Sequence, residues 1–205
     1  MQQIYTVGHS SQSIESFTAH LQRHAVEVVA DVRSQPHSAR FPHFSRESVQ
    51  ASLNAAGMRY LFLGRELGAR RDEAECYVDG HASYDRIAKL PVFAAGIHRL
   101  LAGAPRYRVA LMCAEQDPLT CHRTILVCRE LKKHSVPIAH ICRGGVLEDH
   151  QQAEQRLVEE ELGSADQHDM FAPLHGFIDR LEQAYARRAC SIAYRQHDRA
   201  RSEIR

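Results

Sequence analysis

Short apolar runs that suit β-strands alternate along the chain with segments of helical periodicity, and this alternation constrains the fold more than any other feature. The near-continuous apolar run Val26–Val32 is typical of a strand that helices cover on both faces. We therefore predict an α/β fold with a mostly parallel open sheet, helices on both faces and additional C-terminal helices. The predicted strands are Ile4–Val7, Val26–Val32, Met58–Leu63, Arg108–Met112 and Val136–Ile141.

Apolar residues recur at helical spacing between these strands. Ser13 is a suitable N-cap for a helix from Ile14 to about His24. Two segments, Arg33–Phe44 with two prolines and Gly64–Ser83 with many glycines and charges, are predicted to be irregular. The remaining helices are predicted from a Ser45 cap to about Ala56, at Pro91–Leu101, from a Thr120 cap to about His134, at Leu147–Leu162 and at Pro173–Ala189, before a charged tail at Arg195–Arg205.

Length and charge exclude several classes of protein. The 205 residues suit one domain, with a core at residues 1–145 and a C-terminal helical extension of the same domain at residues 146–205. The net charge of +1 gives no bulk field for nucleic acid, so the charge does not support a nucleic-acid partner, although a local patch could still bind one. No signal-like or membrane-spanning run is found, and the six cysteines are scattered. We expect a cytoplasmic protein with reduced thiols and no membrane partner.

Polar segments follow four of the strand-like runs. Because ligands gather beyond the carboxyl ends of parallel strands, these segments predict one site at that edge of the sheet. They are Gly8-His9-Ser10, Asp31-Val32-Arg33-Ser34, Gly64–Gly68 and Cys113–Arg123.

The segment Cys113–Arg123 is the richest in reactive side chains. With Thr120 as N-cap, Cys121, His122 and Arg123 fall in the first helical turn. The helix end and the arginine favour an anion, and the same end lowers the pKa of a cysteine. The alternative is an ordinary capped helix with an incidental cysteine.

Two other kinds of chemistry fit this segment less well. The order of strand, cysteine, loop and helix invites comparison with cysteine phosphatases and rhodanese-type sulfurtransferases. Leu119 stands six residues after Cys113, however, and Glu115 and Asp117 would repel a phosphate in that loop. A metal could use Cys113, Glu115, Cys121, His122 and His9, but no tight ligand spacing is present, so we assign no metal ligand and expect no tightly bound metal.

Histidine and hydroxyl side chains complete the predicted site. His9 can act as a general base, although a structural histidine is the more common case. Asp31 at the end of an apolar strand needs a partner, and Arg33 is the nearest candidate; a strand-end ion pair with a solvated loop is the alternative. The anion-binding candidates of the two N-terminal segments are Ser10, Arg33, Ser34, Ser38 and Arg40.

Four blocks in fixed order resemble the domain of unknown function 488 family. They are Thr6-Val7-Gly8-His9-Ser10, Asp31-Val32-Arg33-Ser34-x-Pro36, Ser38-x-x-Phe41 and Cys113-Ala114-Glu115-x-x-Pro118-x-x-Cys121-His122-Arg123, with Gly57-x-x-Tyr60 and Leu67-Gly68 in addition. The resemblance covers about Ile4 to Gly145. It implies a compact cytosolic α/β protein without a stated activity, although some members carry a DNA-repair description. Ala39 stands where the family usually has a second basic residue, a role that Arg40 could take.

These observations lead to the hypothesis of an enzyme acting on a phosphate-bearing or other anionic substrate related to nucleotides or nucleic acid. One alternative is a non-catalytic module that senses a ligand or metal, and another is a thiol-based enzyme similar to phosphatases or sulfurtransferases. The sequence leaves the cofactor unknown. The predicted catalytic residues are His9, Cys113, Glu115 and Cys121, and the predicted ligand-binding residues are Ser10, Asp31, Arg33, Ser34, Ser38, Arg40, His122 and Arg123.

Overall fold

A computed structural model describes residues 2–163 and 174–196 of the chain. Its strands are β1 (Ile4–Gly8), β2 (Val28–Asp31), β3 (Arg59–Phe62), β4 (Tyr77–Val78), β5 (His81–Ala82), β6 (Val109–Cys113), β7 (Ile138–Ile141) and β8 (Leu147–Asp149). Six of them form one sheet in the order β3-β2-β6-β1-β7-β8, in which only β8 is antiparallel to its neighbour. The predicted α/β fold with a mostly parallel sheet is therefore confirmed.

Helices connect the parallel strands and cover both faces of the sheet. Two separate apolar clusters form the core, one on each face, because successive side chains of a strand point to opposite sides. No helix in the described part of the chain is long and apolar enough to cross a bilayer. The α-helices are α1 (Ile14–Arg23), α2 (Arg46–Ala55), α3 (Gly64–Leu67), α4 (Tyr84–Ile87), α5 (Pro91–Gly103), α6 (Arg129–Lys132), α7 (His150–Leu162) and α8 (Leu174–Ile192).

Sequence and structure differ where elements are short. The segment predicted to be irregular at Gly64–Ser83 contains α3 and the β4–β5 hairpin, which are too short to show a periodic pattern. Leu147–Asp149 was predicted as the start of a helix but forms β8, and Asp149 then caps α7 with its side chain. Pro173, the predicted start of the last helix, and most of the predicted tail at Arg195–Arg205 lie outside the described residues.

The prediction that Thr120 caps a helix is wrong. Asp117 accepts a hydrogen bond from the Leu119 amide, and with Pro118 it directs Pro118–Thr120 into a 3₁₀ turn. Cys121 is extended, and its carbonyl accepts the first helical hydrogen bonds, from Thr124 and Ile125. A buried π-helical segment, Arg123–Cys128, follows and continues into α6. The helix therefore begins later than predicted, which reorients the side chains around Arg123.

Candidate active site

The polar segments meet at the carboxyl edge of the sheet, as predicted. Gly8 lies beside Cys113 in the β1–β6 pair, and Asp31 lies beside Met112 in the β2–β6 pair. An open cleft of about 400 Å³ occupies this edge. The predicted residues that line it are His9, Arg33, Ser34, Ser38, Cys113, Glu115, Cys121 and His122.

Four of the predicted residues do not line this cleft. Ser10 and Arg40 border a shallower depression, which shares His9, Ser38 and Glu115 with the cleft. Asp31 and Arg123 are completely buried behind the walls. The cleft and the shallower depression therefore form one continuous polar surface at the end of the sheet.

Thiol, imidazole and carboxyl groups make up the floor of the cleft. The thiol of Cys113 at the end of β6 donates to Oε2 of Glu115 over 3.1 Å. The Nδ1 atom of His122 lies 3.6 Å from Sγ of Cys113 and 3.9 Å from Sγ of Cys121. On its other side, the Nε2–H of His122 donates to the Val32 carbonyl over 3.0 Å, which directs Nδ1 toward the two sulfur atoms.

Electrostatics distinguish the two thiols. Burial, with the neighbouring Cys121 sulfur, raises the pKa of Cys113 well above its usual value. Burial opposes ionisation of Cys121 as well, but a hydrogen bond from Cys113 and the charge of Arg123 lower its pKa. Glu115 is exposed toward the cleft, yet the surrounding wall raises the pKa of its carboxyl group through burial. Cys121 therefore loses its proton more readily than Cys113, and Glu115 holds a proton more readily than an ordinary glutamate.

An ionic cluster supports the opposite wall. Arg33 donates Nε and Nη2 to the two carboxylate oxygens of Asp31 over 2.9 and 2.6 Å, and Tyr60 donates its hydroxyl to the same carboxylate over 2.8 Å. The Nη1 group of Arg33 donates to the Phe44 carbonyl and lies 3.2 Å from Nε2 of His9. The Asp31–Arg33 pair expected from the sequence is present, and together with the contacts to Phe44 and His9 it occupies most of the N–H donors of Arg33.

His9 is held neutral within this wall. Its Nδ1–H donates to the Ser10 carbonyl over 3.0 Å, its Nε2 accepts from Arg33, and its ring stacks on Phe44 at 4.2 Å. Burial, followed by the charge of Arg33, lowers the pKa of His9 to about 4. A lone pair already engaged by a guanidinium cannot accept another proton easily. The structure therefore gives His9 a positioning role more readily than that of a general base.

The depressed pKa of His9 predicts loss of stability in acid. The unfolded chain binds the proton near the ordinary pKa of 6.5 and the folded chain only near pKa 4, so this contribution is complete above pH 6.5 and is lost as pH falls toward 4. Burial lowers the pKa of His140 and His150 in the same direction. We expect the midpoint of urea unfolding to fall as the pH is lowered from 6.5 to 4. His9→Gln should make this midpoint less dependent on pH. His134→Gln, at an exposed position, is the control and should leave the pH dependence unchanged.

Arg123 organises the loop behind the floor. Its side chain donates to the carbonyl oxygens of Glu115 and Gln116 over 2.6 and 3.1 Å and to the hydroxyl of Thr6 over 3.3 Å. Its backbone amide donates to Sγ of Cys121 over 3.4 Å. Because its donors hold protein groups and its side chain is buried, Arg123 positions Glu115 and Cys121 and does not itself line the cleft.

A row of buried, polar side chains extends from Arg123 across β1 and β7 to α7. The Thr6 hydroxyl lies 2.8 Å from Nδ1 of His140, whose Nε2 lies 3.0 Å from Nδ1 of His150. The Nε2 atom of His150 faces Glu154 at 3.6 Å, and Lys132 pairs with that carboxylate. With Nε2–H on His140, hydrogen bonds run in one direction from Arg123 through Thr6 and His140 to Nδ1 of His150. The Nε2 atom of His150 is buried without a hydrogen-bond partner. This row of polar side chains connects the site to α7 and fixes the orientation of Thr6.

Several cleft residues were not among the predicted site residues, and they include Arg70, Tyr84 and Tyr194. The guanidinium of Arg70 donates to Oε1 of Gln35 over 3.0 Å and stacks on the Tyr194 ring at 4.7 Å. Gly68 allows this approach, since a Cβ there would lie 2.3 Å from Oγ of Ser34. Arg70 and Tyr194 are far apart in the sequence, so no local pattern could have identified them together.

The sequence matches one known protein family. The model of the domain of unknown function DUF488 matches residues 13–129, more than half of the chain. The chain belongs to the DUF488 family. The DUF488 match includes most of the site but begins after Gly8-His9-Ser10. No curated protein and no solved structure matches the chain.

Proposed function

We propose that this DUF488 protein is a cytoplasmic enzyme that binds an anionic, nucleotide-like substrate in the cleft and uses Glu115 to transfer a proton. The observation that carries the proposal is the combination of an open cleft with cationic walls and a carboxyl group on its floor. Glu115 is the only carboxylate among the described residues that line the cleft, whereas Arg33 and Arg70 line its walls and Arg40 borders the adjoining depression. Because Asp31 neutralises Arg33 within the wall, the exposed guanidinium groups of Arg70 and Arg40 are the charges that favour an anion.

The exposed arginines are better anion ligands than the buried ones. Asp31 and Phe44 engage most donors of Arg33, and carbonyl oxygens engage those of Arg123. Arg70 in the cleft and Arg40 in the adjoining depression are exposed, and each guanidinium stacks on an aromatic ring. Stacking restricts a guanidinium while its N–H donors remain available to phosphate or carboxylate. Ser34 and Ser38 add hydroxyl groups beside them.

Glu115 is the group best placed to move a proton. It is exposed toward the cleft, whereas Cys113 and Cys121 are 2% and 1% exposed and face each other and His122. A buried thiol has poor access to a substrate, so the geometry supports direct attack by either cysteine less well than general acid–base catalysis by Glu115. His9 keeps Arg33 and the wall in place.

Anion binding is tested by calorimetric titration with adenosine monophosphate and with inorganic pyrophosphate. We expect Arg70→Ala to weaken binding about tenfold, since one charged contact contributes roughly 1.5–3 kcal/mol when formed in full. The matched control is Arg106→Ala, because Arg106 is exposed beyond α5 near the amino end of β6 and far from the cleft mouth in the sheet. Equal affinities in the two variants would contradict an anion site at this mouth.

Catalysis is tested by incubating the protein with a panel of nucleotide phosphates and separating the products. Glu115→Gln preserves the shape of the side chain but removes its acid–base function. We expect it to lower turnover by about 10²–10⁴-fold, the usual contribution of a positioned acid or base. Turnover that is retained in Glu115→Gln but lost in Cys121→Ser would instead support the thiol-based alternative.

A further inference from the structure

Three potential metal-ligating atoms converge on the floor of the cleft. Sγ of Cys113, Sγ of Cys121 and a ring nitrogen of His122 all lie within 4.8 Å of one another. The two sulfur–nitrogen separations are 3.6 and 3.9 Å. Ligand atoms around a tetrahedral zinc, with bonds of about 2.0–2.3 Å, stand roughly 3.4–3.8 Å apart. The two sulfur–nitrogen separations are therefore close to those of a tetrahedral zinc site, and the two sulfur atoms lie within 4.8 Å of each other.

The orientation of His122 matches that of a metal-binding histidine. Its Nε2–H donates to the carbonyl of Val32 over 3.0 Å, so the Nδ1 lone pair points to the two thiols. Histidines that bind metals usually donate their second ring nitrogen to a carbonyl or carboxylate oxygen, which fixes both the tautomer and the ring. The fixed ring here leaves Nδ1 available on the side of the sulfur atoms.

The surroundings of the thiols favour ligation. The Arg123 amide donates to Sγ of Cys121 over 3.4 Å, which stabilises a thiolate at this sulfur. Thiolate and imidazole together select zinc or a similar divalent ion over magnesium or calcium. All three residues line the cleft, so a fourth coordination position would face the substrate space, as in catalytic zinc sites.

We propose that Cys113, Cys121 and His122 bind one divalent cation of the zinc class, with its open position toward the cleft beside Glu115. Glu115 is outside the group of three ligands. The ion would polarise an oxygen of the bound substrate or of a water molecule. That use of the ion rests on the proposed function, whereas its binding does not. The sequence contains no typical metal-binding motif here, because Cys121 follows Cys113 by eight positions and not by the short spacing of such motifs.

The site is tested on the full-length, reduced protein after chelation and return of one equivalent of Zn²⁺ or Co²⁺. We expect elemental analysis to give one zinc per chain and the cobalt protein to show sulfur-to-cobalt charge-transfer absorption. Cys113→Ser and Cys121→Ser should each lose that absorption and weaken zinc binding at least about a hundredfold, more than the loss of an outer-shell partner does. Cys190→Ser, which removes an exposed thiol on α8, should retain both properties.

Two results would overturn the metal site. One is cobalt binding by the wild-type protein without thiolate absorption, a measurement that stays decisive even if a serine variant fails to fold. The other is zinc affinity in both folded serine variants that equals that of Cys190→Ser. Titration of the metal-free protein and its Arg70→Ala variant with pyrophosphate tests the proposed function separately. If the metal-free protein did not bind pyrophosphate, the proposed function would fail but the metal site would not. If the protein did not bind zinc or cobalt, the metal site would fail but the anion site would not.

Discussion

Arg123→Ala is expected to destabilise the protein by about 3–5 kcal/mol, the usual consequence of removing one partner from a buried charged network. The variant leaves the carbonyl oxygens of Glu115 and Gln116 and the hydroxyl of Thr6 without their donor in the interior. A cavity would also remain, because Arg123 is the largest fully buried side chain in the described part of the chain. Urea unfolding, monitored by circular dichroism, measures the loss in the free energy of unfolding.

The control for this experiment is Arg106→Ala, an exposed arginine whose loss should change stability by no more than about 0.5 kcal/mol. An Arg123→Ala variant as stable as the wild type, but unable to bind pyrophosphate, would show that Arg123 reaches the ligand directly. The anion role predicted from the sequence would then be restored. Arg123→Lys should also destabilise, because an ammonium group cannot reproduce the forked contacts to two carbonyl oxygens.

Gly8→Ala is expected to have the second large effect, about 3 kcal/mol of destabilisation, at the upper end of overpacking. A Cβ at Gly8 would lie 1.7 Å from the carbonyl oxygen of Glu115 and 3.0 Å from Cα of Gln116. Both are backbone atoms, so relief requires movement of the loop that places Glu115 on the floor of the cleft. Thermal unfolding measures the stability, and the cobalt absorption of the same protein reports whether the floor has shifted.

Gly103→Ala is the matched control because nothing lies within 4 Å of a Cβ at this position in α5. Replacing glycine by alanine in a helix restricts the unfolded chain, so Gly103→Ala should stabilise slightly, by about 0.4–1 kcal/mol. If Gly8→Ala behaves like Gly103→Ala, the close approach of β1 to the loop after β6 does not constrain the site.

The position of the site could be predicted because it depends on a general property of parallel sheets. The carboxyl ends of neighbouring strands meet at one edge, so His9, Arg33 and Cys113 come together once the strands are recognised. The Asp31–Arg33 pair could be predicted for a similar reason, since a carboxylate at the end of a buried strand requires a partner.

The roles of individual side chains depended on details that local patterns do not contain. The turn formed by Asp117 and Pro118 delays the following helix, and this small change directs Arg123 into the interior. Arg70 reaches the cleft through contacts with Ser34 and Gln35, which lie more than thirty residues earlier. Long-range packing, which no spacing rule records, therefore decided which arginines are available to a ligand.

The most direct test of the proposed anion site compares pyrophosphate binding by the wild type, Glu115→Gln and Arg70→Ala at pH 8. A site for an anion beside Glu115 predicts opposite changes in the two variants. Glu115→Gln should tighten binding about fivefold, since two unit charges about 4 Å apart repel by about 1 kcal/mol in water. Arg70→Ala should weaken it about tenfold, as one lost charged contact does. Unchanged or parallel affinities in the two variants would contradict the assignment of the cleft as the substrate site.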